Sequence, residues 1–378
     1  MKRFFAAVTV FVLLICASMF PAGAANEGLP QIPEDEWNGF VDSVPEDIKD
    51  GLFEGMDREG FGDAVMQMTN GEYIIGVVLD VFGARIGGAF RLFFMICAVL
   101  IVSAIFSLIS ESVDNSATAS TFRFCSVGVI ISVVIYTQYE HFSMIEDFFA
   151  KLTAMFSGMI PVSAAVWAMG GNVSTASVGS VTFGVILTVS EVVLSSTLIP
   201  VCCMTTVLGF CDSLTNEIRL ARIMNAIKKI YNFVLVLVMT VLLGSLVAET
   251  ALAAAADTTA AKAARLVSGT VIPILGGSVG ETFRTVAAGI SYIKSIFGIG
   301  GILIIAVMVI PVIINLVLTR FAFLICAGIA DMLGCSGEVK ILDNIGEVYG
   351  TMLAVVSGVA VMFIMALYVF MQTVVAVA

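Results

Sequence analysis

The apolar residues of this chain form long continuous runs that are separated by short polar stretches. Six runs are long enough to cross a membrane, at 88–109, 123–139, 177–210, 230–253, 299–330 and 349–376. A bilayer core about 30 Å thick needs about 20 apolar residues of helix. The runs also lack the alternation of a membrane β-barrel. The pattern therefore predicts an all-α polytopic membrane protein with about six transmembrane helices.

Two further stretches, 143–171 and 258–298, are apolar but interrupted. Each contains a similar phrase, "SGMIP" at 157–161 and "SGTVIP" at 268–273, and glycines follow both. Non-helical backbone at membrane depth persists only where protein or a water-filled cavity surrounds it. We therefore expect two re-entrant or interfacial helical hairpins. The candidate helix breaks or hinges are Pro161, Pro200, Pro273, Gly276, Gly277 and Pro311.

The two phrases open longer parallel passages. Asp212 precedes Asn225 by 13 residues, and Asp331 precedes Asn344 by the same interval (225 − 212 and 344 − 331). We interpret this as an internal duplication, with repeat units 143–255 and 256–378 after two first transmembrane helices in 88–142. Chance similarity between apolar helices is the alternative. Paired interrupted segments are typical of transport pathways.

The N-terminal region has the character of an exported segment. Residues 1–24 resemble a signal peptide, with an uncleaved anchor as the alternative. Residues 25–87 are acidic, and a stripe with a spacing of four follows one predicted helical face, at Phe40, Val44, Ile48, Leu52 and Met56. The stripe indicates either a small solvated helical hairpin or a helix that docks on a partner. Because like charges repel, this segment is a poor ligand for nucleic acid, and we expect no nucleic-acid partner.

Basic residues predict the orientation. The loop 211–229 carries Arg219, Arg222, Lys228 and Lys229 against two acids, so the positive-inside rule places it in the cytoplasm. Six spans then leave residues 25–87 and the C-terminus on the other side. The basic residues of 258–298 remain outside in this topology, contrary to the rule.

No motif for covalent chemistry is present. The eight cysteines form no CxxC pair, and the single histidine, His141, is expected at the membrane interface. We therefore predict no enzyme, no metal site and no cofactor. The strongest polar signal inside an apolar run is Glu191, which shares a predicted helical face with Gly184, Thr188 and Ser195. Arg320 is its candidate partner, in a structural ion pair or along a conduit.

The stretch "TTAAKAARLVSGTVIPILGGSVGETFRTVAAGISYIKSIFGIGG" and Pro311 after it resemble the stage III sporulation protein AE family. The resemblance implies a multi-pass protein of the mother-cell membrane around the forespore. It also implies a channel-like complex with other membrane proteins of the stage III sporulation A operon, reaching stage II sporulation protein Q of the forespore indirectly.

Three functions remain open at this point. The exported acidic segment favours a subunit of a multi-protein channel, and the duplication suggests that this subunit is the permease part. The duplication and Glu191 also favour a stand-alone secondary transporter of an unknown small solute. A passive membrane scaffold is the third alternative, in which Glu191 only forms a structural pair.

Overall fold

The computed structural model describes residues 32–46, 65, 71–112, 116–214, 220–271 and 276–372. Within these ranges the chain is helical apart from short turns, and they contain no strand. The elements are α1 (Glu34–Ser43), α2 (Gly71–Ser112), α3 (Ser116–Met169), α4 (Val173–Glu191), a π-helical segment (Val192–Leu198), α5 (Ile199–Leu214), α6 (Ala221–Val271), α7 (Gly276–Met332) and α8 (Ser336–Gln372).

Helices α2 to α8 make six antiparallel passes. Helix α4, the π-helical segment and α5 follow one another without a reversal and together form one pass. Among the residues that the structure describes, six helices are long and apolar enough to cross a membrane. The prediction of an all-α polytopic protein with six spans is confirmed. We call the end where α2 begins the proximal end, and the opposite end, where α7 turns into α8, the distal end. The signal peptide predicted at 1–24 lies outside the described residues.

Helix α8 is the centre of the bundle. It packs most extensively on α7 and also contacts α3, α5 and α6. Helices α2 and α6 are peripheral and carry exposed large apolar side chains, such as Phe94 on α2 and Val241 on α6. Because lipid tails are as apolar as leucine, such surfaces are stable in a bilayer.

An aromatic layer fills the proximal half of the bundle. Trp167 contacts Phe183 and Phe370, and Phe156 meets Phe363 edge-on with ring centroids 4.5 Å apart. These five side chains are buried. Because aromatic rings bury large areas, this layer holds α3, α4 and α8 together.

The re-entrant hairpin predicted at 143–171 is wrong. Helix α3 continues through Pro161 to Met169, and the chain reverses at the glycines after it, where Gly171 has φ 77°. Helix α7 likewise continues through Pro311. Neighbouring helices and local adjustments can re-satisfy the backbone groups that a proline frees inside a membrane, so neither proline ends its helix.

Continuous helices also occupy most of 258–298. Helix α6 runs to Val271, and α7 starts at Gly276 and includes Gly277, so no re-entrant loop occurs in the part that the structure describes. Pro273 lies outside that part.

The helix continues through Pro200 but leaves α-helical geometry just before it. The backbone changes to π-helical geometry over Val192–Leu198, directly before the turn that contains Pro200. Proline lacks the N–H and clashes with the carbonyl four residues earlier, which here belongs to Ser196. The wider π-helical turn accommodates this clash.

Helix α1 differs from its prediction at both ends. It begins at Glu34, where three acids lie in the first turn and favour the helix N-terminus. It ends at Ser43, because Val44 precedes Pro45 and adopts extended geometry. The four-residue stripe therefore does not continue as one helix past Val44, and its members Ile48, Leu52 and Met56 lie outside the described residues.

The apolar face of α1 packs on the chain's own bundle. Trp37 and Phe40 contact Phe297 of α7, with ring centroids 5.7 and 5.4 Å away. Ser43 lies against Gly158 of α3 and donates a 3.4 Å hydrogen bond to the Met155 carbonyl. Phe40 and Val44 are thus covered in cis and are not a free docking surface. The stripe predicted that some surface covers this face of the helix. It did not indicate that the covering surface is the chain's own bundle.

Candidate functional site

A buried polar cluster crosses the distal part of the bundle, on the distal side of the aromatic layer. It joins five helices through Gln138 and His141 of α3, Thr205 and Thr206 of α5, Lys228 of α6, Thr319 and Arg320 of α7, and Asn344, Glu347 and Tyr349 of α8. We call this set the polar cluster. Tyr349 lies 13 residues into α8 (349 − 336), which is about 20 Å from the distal helix end.

His141 is the centre of one half of the polar cluster. Its Nδ1 lies 2.6 Å from the Thr137 carbonyl and 3.0 Å from the Tyr349 hydroxyl, and its Nε2 lies 3.3 Å from the Thr319 hydroxyl. A carbonyl only accepts hydrogen bonds, so Nδ1 carries the proton and donates to Thr137. In the neutral ring, Thr319 then donates to Nε2. The side chain of His141 is only 5% exposed, so the structure places it inside the bundle.

Lys228 is the centre of the other half. Its ammonium donates to Asn344 Oδ1 at 2.7 Å and to Glu347 Oε2 at 2.9 Å. The Asn344 amide in turn donates to the Thr205 carbonyl at 3.0 Å. The ammonium is a donor only and the carbonyl an acceptor only, so this network fixes the orientation of the amide. One asparagine thereby connects α5, α6 and α8.

The contact of Asn344 with α5 depends on Gly209. The Asn344 side chain occupies the space that a Cβ of residue 209 would need. Lys228 is buried, whereas the Glu347 side chain is 55% exposed. The cation is therefore enclosed and its carboxylate partner is accessible.

The remaining members extend the polar cluster across the bundle. The Gln138 amide donates to Thr206 at 2.9 Å and links α3 to α5. The guanidinium carbon of Arg320 lies 3.2 Å from the position that a Gly350 side chain would take. The buried Nε of Arg320 has no hydrogen-bond partner among the described residues.

Near each end of the bundle, a carboxylate joins neighbouring helices through hydrogen bonds. Near the distal end, buried Glu338 accepts hydrogen bonds from Ser103 at 2.5 Å and Ser126 at 3.0 Å, joining α8 to α2 and α3. Near the proximal end, Asp257 of α6 accepts from the backbone N–H groups of Ser174 and Thr175 at 3.0 and 2.8 Å. A carboxylate there satisfies free N–H groups and favours the helix N-terminus.

The structure does not join Glu191 to Arg320. Glu191 is exposed at the end of α4, whereas Arg320 lies between α7 and α8, and no ion pair connects the two described side chains. Thr188 is also exposed, and its hydroxyl donates to the Gly184 carbonyl at 3.0 Å within the helix. Because Thr188 and Glu191 are both exposed, their side of α4 does not face the interior of the bundle. The Ser195 side chain lies outside the description, and the conduit role stays a prediction.

Sequence reasoning missed most of the polar cluster. Of its members, only Arg320 was singled out for the membrane interior. Lys228 was assigned to a cytoplasmic loop, and Asn344 served only as a landmark of the duplication. One signal was available: Lys228 and Glu347 both stand 16 residues after the paired aspartates (228 − 212 and 347 − 331).

Six antiparallel apolar passes around a buried polar cluster define a polytopic α-helical protein of the membrane. The sequence pattern of the stage III sporulation protein AE family matches residues 62–374. The chain belongs to this family.

A relative named stage III sporulation protein AE, from Bacillus subtilis (strain 168), is 22% identical over 272 residues. The alignment covers 71% of this chain and 68% of the relative. No solved structure matches this chain.

Proposed function

We propose that this chain is the membrane subunit of the channel-like complex between mother cell and forespore, and that it serves as the permease part of that complex. The polar cluster is the observation that supports this role. A helical protein that only anchors a complex has no need of a lysine, a histidine and an asparagine enclosed in the interior of its helical bundle, where polar groups are costly. Such groups usually mark the pathway or the moving parts of a membrane protein.

The two layers of the bundle suggest how the subunit works. The aromatic layer closes the proximal half, and the polar cluster lies on its distal side, 14 residues away along α8 (363 − 349). Helices α5, α6 and α8 meet at Asn344, so a change at this residue affects three passes at once. The π-helical segment between α4 and α5 supplies a place where one of these passes can adjust.

The proposed orientation places the distal end in the mother-cell cytoplasm and α1 in the space between the two forespore membranes. The exposed Arg222 and Lys229 at the distal end support it. In a cysteine-free chain expressed in non-sporulating cells, where this side of the membrane faces the medium, an impermeant thiol reagent should label Asp35→Cys and leave Arg222→Cys unlabelled. Labelling of position 222 from outside would contradict the orientation.

The permease role is tested with Asn344→Leu in an endospore-forming host that carries this chain in place of its own protein. The change keeps the approximate size of the side chain and removes the amide that joins three helices. We expect the protein to remain in the membrane while late forespore gene expression and spore counts fall. The matched control is Thr240→Val, an exposed residue of α6 that bonds only its own helix backbone at Val236. Normal sporulation of the Asn344→Leu strain would refute the proposal.

A stand-alone secondary transporter is the second candidate, because the polar cluster alone resembles a solute site. Deleting the other membrane proteins of the operon distinguishes the two. A channel subunit should then lose its effect on the forespore, whereas a stand-alone transporter should keep it.

A further inference from the structure

The two predicted repeat units share four identical residues at one constant offset. Each of the residues Gly209, Asp212, Leu214 and Asn225 recurs 119 positions later, as Gly328, Asp331, Leu333 and Asn344 (328 − 209, 331 − 212, 333 − 214 and 344 − 225). With the two units taken as repeats, α5 corresponds to α7, and α6 corresponds to α8. A contact that one unit makes through these residues therefore has an equivalent position in the other unit.

Within the chain, α8 covers one face of α5. This face carries Cys202, Thr205 and Gly209 at spacings of three and four, and all three residues are buried. The Asn344 amide donates to the Thr205 carbonyl at 3.0 Å, and its side chain occupies the space next to Gly209. We call this packing of α8 on α5 the internal joint.

The equivalent face of α7 is open. Its residues at the same offset are Phe321, Leu324 and Gly328, and all three are exposed. Among the described residues, no atom lies within 4 Å of the Cβ position of Gly328, whereas Asn344 fills that space at Gly209. Helix α6 does not pack along α7 in the part of the chain that the structure describes. This part of the chain therefore does not form the equivalent of the internal joint with itself.

The matching face of α6 is open as well. Asn225, Lys229, Phe233 and Val236 follow one another at spacings of three and four, and all four are exposed. The four residues of α8 at the offset of 119 from them are all buried. Each chain thus presents the two faces of a second joint, one on α6 and the other on α7.

The internal joint indicates what these two faces bind. We propose that α6 of one copy of this chain packs on α7 of a second copy, in the antiparallel arrangement that α8 and α5 have in the internal joint. Asn225 of one copy then lies against Gly328 of the other. Each copy contributes a different face, so the contact is head-to-tail. Such contacts continue from copy to copy, and they close as a ring where the rotation between copies permits.

The side chains along the two faces match in this register. The antiparallel helices bring Arg222, three residues before Asn225, level with Asp331, three residues after the glycine. These two charged side chains are exposed and of opposite sign, so each copy supplies the other with a partner. Toward the proximal end, exposed Phe233 lies level with exposed Phe321 to within one residue, which is about 1.5 Å along a helix axis. Opposite charges and facing rings favour a second copy over lipid tails as the covering surface.

The test uses two full-length, cysteine-free chains with different tags, expressed together in a host without sporulation proteins. One chain carries Asn225→Cys and the other carries Gly328→Cys, and the isolated membranes are oxidised. We expect the two tags to become cross-linked, because the proposed contact places these positions against each other. Two chains that both carry Asn225→Cys should not cross-link, since a head-to-tail contact joins different faces.

The matched control for this cross-link is Ile223→Cys. Ile223 is exposed at nearly the same level as Asn225, and it lies on the opposite side of α6. A chain with Ile223→Cys should not cross-link to a chain with Gly328→Cys.

Charge reversal tests the register of the contact. Arg222→Asp in the chain with Asn225→Cys should lower the cross-linked fraction about threefold or more, because two acids then meet. Asp331→Arg in the chain with Gly328→Cys should restore the cross-link, since opposite charges face each other again.

Added volume tests the packing. Gly328→Leu fills the space that the second copy needs, while the described residues of its own chain leave that space open. We expect normal protein levels, and co-purification of the two tags in mild detergent should fall about tenfold or more. The control is Gly184→Leu in α4, a helix outside the proposed contact, where the described residues also leave the Cβ position open. It should co-purify as the native chain does.

Three results would overturn the proposal. Absence of a cross-link between Asn225→Cys and Gly328→Cys on different tags would leave lipid or another protein as the neighbour of both faces. A cross-link confined to single chains that carry both cysteines would show that α6 closes on its own α7. Equal cross-linking with Ile223→Cys would show random collision of chains in the membrane.

Discussion

Lys228 of α6 and Glu347 of α8 form an ion pair of 2.9 Å between equivalent positions of the two predicted repeat units. Each residue stands 16 positions after an aspartate that shortly precedes a leucine, Asp212 in the first unit and Asp331 in the second. The two helices run in the same direction, as parallel repeats require. The ion pair therefore lies at the junction of the two units.

We expect the contributions of Lys228 and Glu347 to the stability of the protein to depend on each other. Glu347→Gln leaves the enclosed Lys228 ammonium without a counter-ion, and Lys228→Met leaves the buried Asn344 carbonyl oxygen without its donor. We expect each change to destabilise the protein by about 1–3 kcal/mol. The double variant should lose less than the sum, with a coupling of about 0.5–3 kcal/mol. Thermal unfolding in detergent measures both.

The matched control is Lys229→Met, which removes the neighbouring exposed lysine of the same helix. Its effect should stay within about 0.5 kcal/mol. Strict additivity of Lys228→Met and Glu347→Gln would show that the two charges do not interact.

Gly209 should tolerate no side chain. A Cβ at this position overlaps the Asn344 amide, which the lysine and the Thr205 carbonyl hold in place. Gly209→Ala should therefore destabilise the protein by about 1–3 kcal/mol. Gly244→Ala in α6 is the control, since no atom lies within 4 Å of its Cβ position. It should be neutral or stabilising, and equal losses in the two variants would contradict the packing described.

The tautomer of His141 can be observed directly, because it is the only histidine of the chain. Nitrogen-15 labelling of histidine should show a neutral ring protonated at Nδ1, as the 2.6 Å contact with the Thr137 carbonyl requires. Thr319→Val should shift the Nε2 resonance and leave Nδ1 protonated. A ring protonated at Nε2 alone would refute the assignment.

Helix α1 should depend on Phe40 for its position. Phe40 is fully buried against Phe297 and Trp37, and Phe40→Ala should cost about 3–5 kcal/mol of packing. We expect faster amide hydrogen exchange over Glu34–Ser43, while α3 and α8 stay protected. Asn38→Ala on the exposed side of α1 serves as the control. Unchanged exchange in Phe40→Ala would show that other contacts hold the helix.

The sequence by itself determined the number, order and class of the membrane passes. A run of about 20 apolar residues has to be helical to satisfy its backbone in lipid, which is a local requirement. Pro200 was also a local signal for the change of helical geometry before it, because proline acts on the turn that precedes it. Pro45 was a comparable local signal for the end of α1. The stripe with a spacing of four continues past Pro45, and it favoured one longer helix.

Only the tertiary structure decided which polar residues face inward. In a soluble protein the apolar face of a helix marks the core, but here the core and the lipid are both apolar. The stripe through Glu191 therefore could not reveal its direction, and the structure places it outside. His141, Lys228 and Asn344 lie in the interior because their partners come from other helices, far away along the chain. Their pairing depends on how the passes pack, and no local pattern in the sequence encodes that.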